Sequence, residues 1–323
     1  MNCHQNNYIY MPNQPKDYQY PFKISVAIST YNRDSFLKGL MDSILQQTLS
    51  PREFEIIFVN NNSTDNTDAI CKQFIADHPS LKIQYHIEYN QGLSFARNRC
   101  IQEAKGKYIT FADDDALLNP DFLETVCNYL DEHTDIAEVG GPIFLSYMES
   151  IPNWENPYIN TLFGYFQPSL KPYILNRPSK KYPRGSNMTY RTEIFNTCGL
   201  FNTSLGRIRQ QLIGGEEKDI AFRIINAGFR IAYIPSAIVH HLVPERRTKL
   251  DFIQKQAKGI GLSEQIRTLN ISRPAYLKAI LLEGMKWIAS FILCISYILR
   301  GKPQKGGILL YFRWFVTQGL LFK

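Results

Sequence analysis

Between residues 23 and 115, four short apolar runs alternate with three helical patterns, and the joints between them are only a few residues long. The runs at 23–30 (KISVAIST), 54–59 (FEIIFV), 81–87 (LKIQYHI) and 107–112 (KYITFA) are rich in β-branched and aromatic residues. They are short for buried helices, so they are predicted strands. Residues 35–47 carry Phe36, Leu40, Ile44 and Leu45 near one helical face. A second helix is predicted over 66–76, with Asp65 placed to cap it, and a third over 93–104, with Gly106 following as its C-terminal cap. Regular alternation of this kind predicts the α/β class: a three-layer α/β/α sandwich around a central mixed, mostly parallel sheet.

In such folds ligands collect beyond the carboxyl ends of the strands. Three predicted strand ends carry polar clusters: 30–34 (TYNRD), 60–65 (NNNSTD) and the run Asp113, Asp114, Asp115. Three adjacent carboxylates repel one another and are costly to bury unpaired. A hard divalent cation, Mg²⁺ or Mn²⁺, relieves that cost through oxygen ligands. An acidic surface loop is the plain alternative, and the two other polar strand ends weigh against it. The first turn has no glycine, so neither a GxGxxG fingerprint nor a phosphate loop is present. Nucleotide phosphates would therefore need a metal rather than a glycine cradle.

Beyond residue 115, a helix is predicted over 120–130 and a strand over 137–143. Residues 146–182, rich in Pro, Tyr and Asn, are irregular; they read equally as a substrate-lining insert or as packing. Residues 185–190 (GSNMTY) lead into a short strand, and 214–219 (GGEEKD) open a helix that Gly228 closes. Glu216, Glu217 and Asp219 sit in or before its first turn, where the helix dipole favours carboxylates. Glu217 is also suited to act as a general base on a firm element. After a strand over 229–234, His240 and His241 are adjacent in an extended segment, so their side chains oppose; one is open to a metal role.

The formal charge of +7 is unevenly placed: from His241 onward 14 Lys/Arg stand against 4 Asp/Glu. Helical patterns there cover 249–269, 280–299 and 308–322. The clean apolar run 287–299 is 13 residues, short of the ~20 that span a bilayer. Aromatic and basic residues beside it suit an interfacial seat on an anionic membrane surface; a homodimer contact or packing on the catalytic domain is the alternative. Six scattered cysteines without metal spacing point to a reducing, cytoplasmic setting, and the polar start of the chain lacks signal-peptide character.

Together these segments resemble family 2 glycosyltransferases, which have the GT-A fold. The resemblance rests on ISVAISTYNR (24–33), VNNNSTD (59–65), GLSFARNR (92–99), the DxD-like Asp113–Asp115, GSN (185–187), GEEKD (215–219) and HLVP (241–244), in that order. It implies transfer of a sugar from a nucleoside diphosphate sugar, UDP-linked by expectation, with inversion at C1. It implies that Asp115 and Asp113, with His241 as third ligand, hold Mg²⁺ or Mn²⁺. Thr30, Asn32, Arg33, Asn60, Asn61 and Arg97 would line the nucleotide side, with Asp114 toward the sugar and Asn187 on donor or acceptor hydroxyls. Glu217 would be the base, with Glu216 and Asp219 as fallbacks. Asn60 departs from the family's usual aspartate, and Glu217 from its usual Asp.

The expected acceptor is a glycan or lipid-linked saccharide in bacterial polysaccharide synthesis, at the cytoplasmic face of the inner membrane. The expected domains are an extension at 1–22, a catalytic domain at 23–260 divided near 115 into nucleotide and acceptor halves, and a basic helical region at 261–323. A metal-dependent nucleotidyltransferase is the nearest rival, but would not need the base and histidine segments. A nucleic-acid-binding module fits the basic tail less well than a membrane does, because Trp and long aliphatic runs interleave the charges; no nucleic-acid partner is expected.

Overall fold

The computed structural model describes residues 20–177, 179, 181–207 and 214–322. Residues 1–19 of the expected extension lie outside the described residues. In chain order the elements are β1 (Phe22–Thr30), α1 (Asp34–Leu45), β2 (Phe54–Asn60), α2 (Thr67–Asp77), β3 (Ile83–Ile87), α3 (Leu93–Glu103), β4 (Gly106–Asp113), β5 (Ala116–Leu118), α4 (Phe122–Glu132), β6 (Ile136–Gly140) and β7 (Ile143–Tyr147). They continue with α5 (Pro157–Asn160), β8 (Tyr173–Leu175), β9 (Met188–Arg191), α6 (Ile194–Cys198), α7 (Glu216–Asn226), β10 (Arg230–Tyr233), β11 (Val239–Val243), α8 (Glu245–Thr248), α9 (Leu250–Ile271), α10 (Arg273–Leu299) and α11 (Pro303–Leu321).

The chain divides into two compact units, 1–143 with 167–240, and 144–166 with 241–323. Residue 260, the expected end of the catalytic domain, falls within α9.

The first unit is built on an eight-stranded sheet in the order β3-β2-β1-β4-β9-β6-β10-β8. The sheet is mixed: β3, β2, β1 and β4 pair in parallel, whereas β9 is antiparallel to both β4 and β6. β2 is buried along its whole length, as its unbroken apolar run requires for a central strand. One core packs α1 and α4 under the sheet through Leu37, Leu40, Ile44, Phe122, Leu123 and Val126. The other packs α3 and α7 through Ala96, Cys100, Ile220 and Ile224.

Three local expectations change. Asp65 does not cap α2 alone: one oxygen accepts from the Thr67 N–H at 3.0 Å and the other from the Asp34 N–H at 3.1 Å, so it ties the starts of two helices. α3 ends at Glu103 with Ala104 as its C-cap, and Gly106 is not its cap; Gly106 opens β4 against β1, where a Cβ would lie 2.5 Å from the Ser25 nitrogen. The strand expected over 137–143 is two strands, β6 and β7.

The second unit gathers α9, α10 and α11 around Ile253, Ile308 and Leu309, with Ile159 and Phe163 from the 144–166 segment. α9 and α11 cross at two glycines: a Cβ on Gly319 would lie 2.1 Å from the Lys258 carbonyl oxygen, and one on Gly261 2.0 Å from that of Val316. Glu283, buried on α10, accepts from Arg313 on α11 at 2.8 Å and from Lys286 at 3.1 Å.

Candidate active site

β1 lies between β2 and β4, with Thr30 in register with Asn60 and Ser29 with Asp113. The three polar strand ends therefore meet on one carboxyl edge of the parallel half of the sheet, where α/β folds bind ligands. Asn32 adopts a left-handed φ of 53° and accepts from the Thr64 N–H at 2.8 Å, which joins the first two loops. Asn60 donates to the Tyr85 hydroxyl at 2.9 Å and accepts from the Ser63 N–H at 2.8 Å. Asn61 is taken up by its own loop: its amide donates to the Glu88 and Asn90 carbonyls and accepts from the Gly92 N–H.

Asp113 ends β4, half-exposed, and Asp114 and Asp115 turn back into the protein, both buried. The Arg33 guanidinium approaches Asp114 at 3.6 Å. Burial, with the charges of Asp115 and Asp113, pushes the Asp114 carboxyl up to about 8 against the pull of Arg33. A set of hard oxygen donors destabilised by its own repulsion fits a hard divalent cation. Among the described residues, no three His, Cys, Asp or Glu side chains are gathered closely enough to hold a metal by themselves. Mg²⁺ is commonly held by one or two carboxylates plus substrate phosphates, so that arrangement is compatible with the donor set. His241, the expected third ligand, belongs to the second unit; it is buried on β11 with its ring 3.7 Å from where a Gly164 Cβ would stand.

Facing the same edge, α7 starts at a left-handed Gly215 and carries Glu216 and Glu217 in its first turn. Glu217 Oε1 accepts from the Gly185 N–H at 2.9 Å. Burial, with Glu216 and Asp113 nearby, pushes its carboxyl up to about 7 against the pull of Arg97 and Arg184. Glu216 is buried and accepts from Arg97 Nη1 at 3.0 Å. Asp219 pairs with Arg223 one turn on, at 2.8 Å, which is a helix-surface role.

Two of the expected site residues are engaged within the protein. Asn187, expected on sugar hydroxyls, is fully buried; its amide donates to the Pro142 and Ala237 carbonyls and accepts from the Gly141 N–H. Both of its N–H donors are spent on backbone, so donation to a sugar would cost a buried bond. Arg97, expected on the diphosphate, is 1% exposed and pairs with Asp113 and Glu216. One group escaped the sequence reading: Glu138, fully buried on β6, with its carboxyl pushed well above the usual range by burial, against the pull of the Tyr190 hydroxyl. A lone charge within IAEVG (136–140) was the available signal.

The family model described as Glycosyl transferase family 2 matches residues 25–199. The chain belongs to glycosyl transferase family 2. The transferase is 24% identical over 268 residues to a glucosyl-dolichyl phosphate glucuronosyltransferase of Haloferax volcanii, covering 80% of this chain and 83% of that one. It is 36% identical over 132 residues to the minor teichoic acid biosynthesis protein GgaB of Bacillus subtilis. That match covers 41% of the transferase and only 14% of GgaB. Among solved structures, it resembles the mannosyltransferase PcManGT from Pyrobaculum calidifontis, solved with GDP-Man and Mn²⁺. That likeness has a TM-score of 0.59 at 17% identity, over 94% of this chain and 88% of that one, and it supports a GT-A-like fold. The α/β unit with its mixed sheet and the C-terminal helices agree with that fold.

Proposed function

We propose that the transferase moves a sugar from a nucleoside diphosphate sugar, UDP-linked by preference, to a hydroxyl of a glycan or lipid-linked saccharide, inverting the anomeric carbon. The observation that carries this reading is the Glu217 carboxylate. It is held by the Gly185 N–H at the start of a rigid helix, facing the strand ends, and burial raises it to about 7. A base serves best when its pKa lies near the working pH.

Glu217 takes the proton of the acceptor hydroxyl as that oxygen attacks C1 from the face opposite the leaving diphosphate. A single displacement converts an α-linked donor to a β-glycoside. Thr30, Asn32, Arg33 and Asn60 lie along the nucleotide side, and Asp114, paired with Arg33, backs the DxD-like run. Asp113 and Asp115 would hold Mg²⁺ or Mn²⁺, which when bound offsets the charge that builds on the departing diphosphate. A lipid-linked acceptor is supported by the Haloferax relative, whose name specifies glucosyl-dolichyl phosphate.

We assign the second unit a seat on an anionic lipid surface, at the cytoplasmic face of a bacterial membrane. α10 is long and apolar enough to cross a membrane by length and composition alone. It leaves Leu277, Leu281, Met285, Ile288, Ile292, Ile295 and Leu299 exposed along one face, widened by Leu282, Phe291 and Ile298. That face is broader than a coiled-coil seam, which favours lipid over a second copy. The basic residues Arg300, Lys302 and Lys305 follow directly, at the turn into α11. They would lie deep in hydrocarbon if the helix pair entered as a hairpin, so an in-plane seat is preferred.

The reaction is tested by the anomeric configuration of the product, read from the H1 coupling in proton NMR. An α-linked UDP-sugar should yield a β-glycoside; an α-glycoside would reject the single displacement.

A further inference from the structure

The Arg97 guanidinium is enclosed on every side that a substrate could use. Its side chain is 2% exposed. Along its edge, Nη1 meets Glu216 Oε1 at 3.0 Å and Glu217 Oε1 at 4.0 Å, and Nη2 meets Asp113 Oδ1 at 3.3 Å. The Phe111 and Phe201 rings lie 5.9 and 5.6 Å from its central carbon. One cation thus serves three carboxylates. A diphosphate arriving there would meet all three, and would have to compete with the buried Arg97–Glu216 pair.

A second observation converges on the same place. Gly185, immediately before β9, abuts the whole cluster: a Cβ there would stand 2.5 Å from Glu217 Oε1, 2.9 Å from Arg97 Nη2 and 3.3 Å from Asp113 Oδ2. Its N–H already holds Glu217 Oε1 at 2.9 Å. The cluster joins α3, the end of β4, the segment before β9 and the first turn of α7. It links the strand end expected to face the donor with the helix expected to face the acceptor.

We propose that Arg97 is a positioning residue: with Gly185 it fixes the Glu217 carboxylate for proton abstraction, and it does not bind the donor diphosphate. This rests on the assignment of Glu217 as the base. Misplacing a reacting group by about 1 Å can cost on the order of 10²-fold in rate, so the effect belongs in kcat and not in nucleotide affinity.

The test uses the full chain, with UDP plus Mn²⁺ titrated calorimetrically and kcat and KM measured for transfer. Arg97→Gln should lower kcat by about 10²-fold while UDP affinity stays within about threefold. Arg97→Lys, which keeps the charge but not the planar fork, should recover part of that loss. If the charge-removing variant fails to fold, Gly185→Ala decides, because it changes no charge and pushes directly on Glu217. It should lose kcat by a similar factor, with UDP affinity kept within about threefold. Wild-type kcat in Gly185→Ala, or a tenfold loss of UDP affinity in Arg97→Gln with kcat kept, would overturn the positioning role alone. A wild-type protein that binds UDP and Mn²⁺ but transfers nothing would remove the parent reading and this one together.

Discussion

Glu217 and Asp219 share one helical turn but have different partners. Asp219 is exposed enough to pair with Arg223 on the helix surface. Glu217 is part-buried beside Glu216 and Asp113, and burial with these two carboxylates favours its protonated form. A base is useful only when deprotonated, so transfer should rise with pH through about 7 and level off above it. A pH profile of kcat checks this; a limb centred near the ordinary glutamate value of about 4.3 would mean that Glu217 is not the titrating base. Sequence showed that carboxylates cluster before and within this helix. It did not show that Glu216 would be buried against Arg97 with Glu217 part-exposed beside it, because helix phase within one turn depends on what packs behind it. The same blindness hid the surroundings of Arg97: an Arg in a polar segment does not announce the aromatic rings and carboxylates that tertiary packing brings around it. The partners of Asn187 were hidden for the related reason that a buried amide and a sugar-binding amide look identical in sequence.

At the scale of elements, the strands and helices of residues 23–115 were legible because each carries its own periodicity, and the parallel pairing follows from the helical crossovers. The insertion of β9 between β4 and β6 was not legible. It is four residues long, follows an irregular stretch, and pairs across about eighty residues of chain with β4. The extent of α9 was legible, but α10 and α11 begin at Arg273 and Pro303, ahead of the apolar runs expected to start them at 280 and 308. The crossing of α9 with α11 was not legible, since it depends on which glycines meet. That crossing makes a prediction. Gly319→Leu would drive a Cβ into the Lys258 carbonyl and should cost about 1–3 kcal/mol, seen as a lower urea midpoint. Gly307→Ala, whose Cβ meets nothing within 4 Å, should be neutral or slightly stabilising. Equal behaviour of the two variants would argue against close packing of α9 on α11.

Over the whole molecule, charge is divided between the two ends of the sequence. The first 240 residues carry a small net negative charge and the remainder a net positive one. After Glu264 the only carboxylate is Glu283, and it is consumed by Arg313 and Lys286. The basic groups that remain, beside an exposed apolar face, predict binding to anionic vesicles that weakens with salt. In co-sedimentation, the full chain should bind phosphatidylglycerol-containing vesicles more strongly than neutral ones. Ile288→Asp with Ile292→Asp should reduce binding to both. Equal, salt-insensitive binding to neutral vesicles would reject the anionic-surface assignment. The central claim, however, rests on one side chain in the first unit. Glu217→Gln keeps the shape of the carboxylate and removes its basicity. The account predicts that this variant loses about 10²–10⁴ in kcat for transfer while UDP and Mn²⁺ still bind as in the wild type; transfer at the wild-type rate would contradict it.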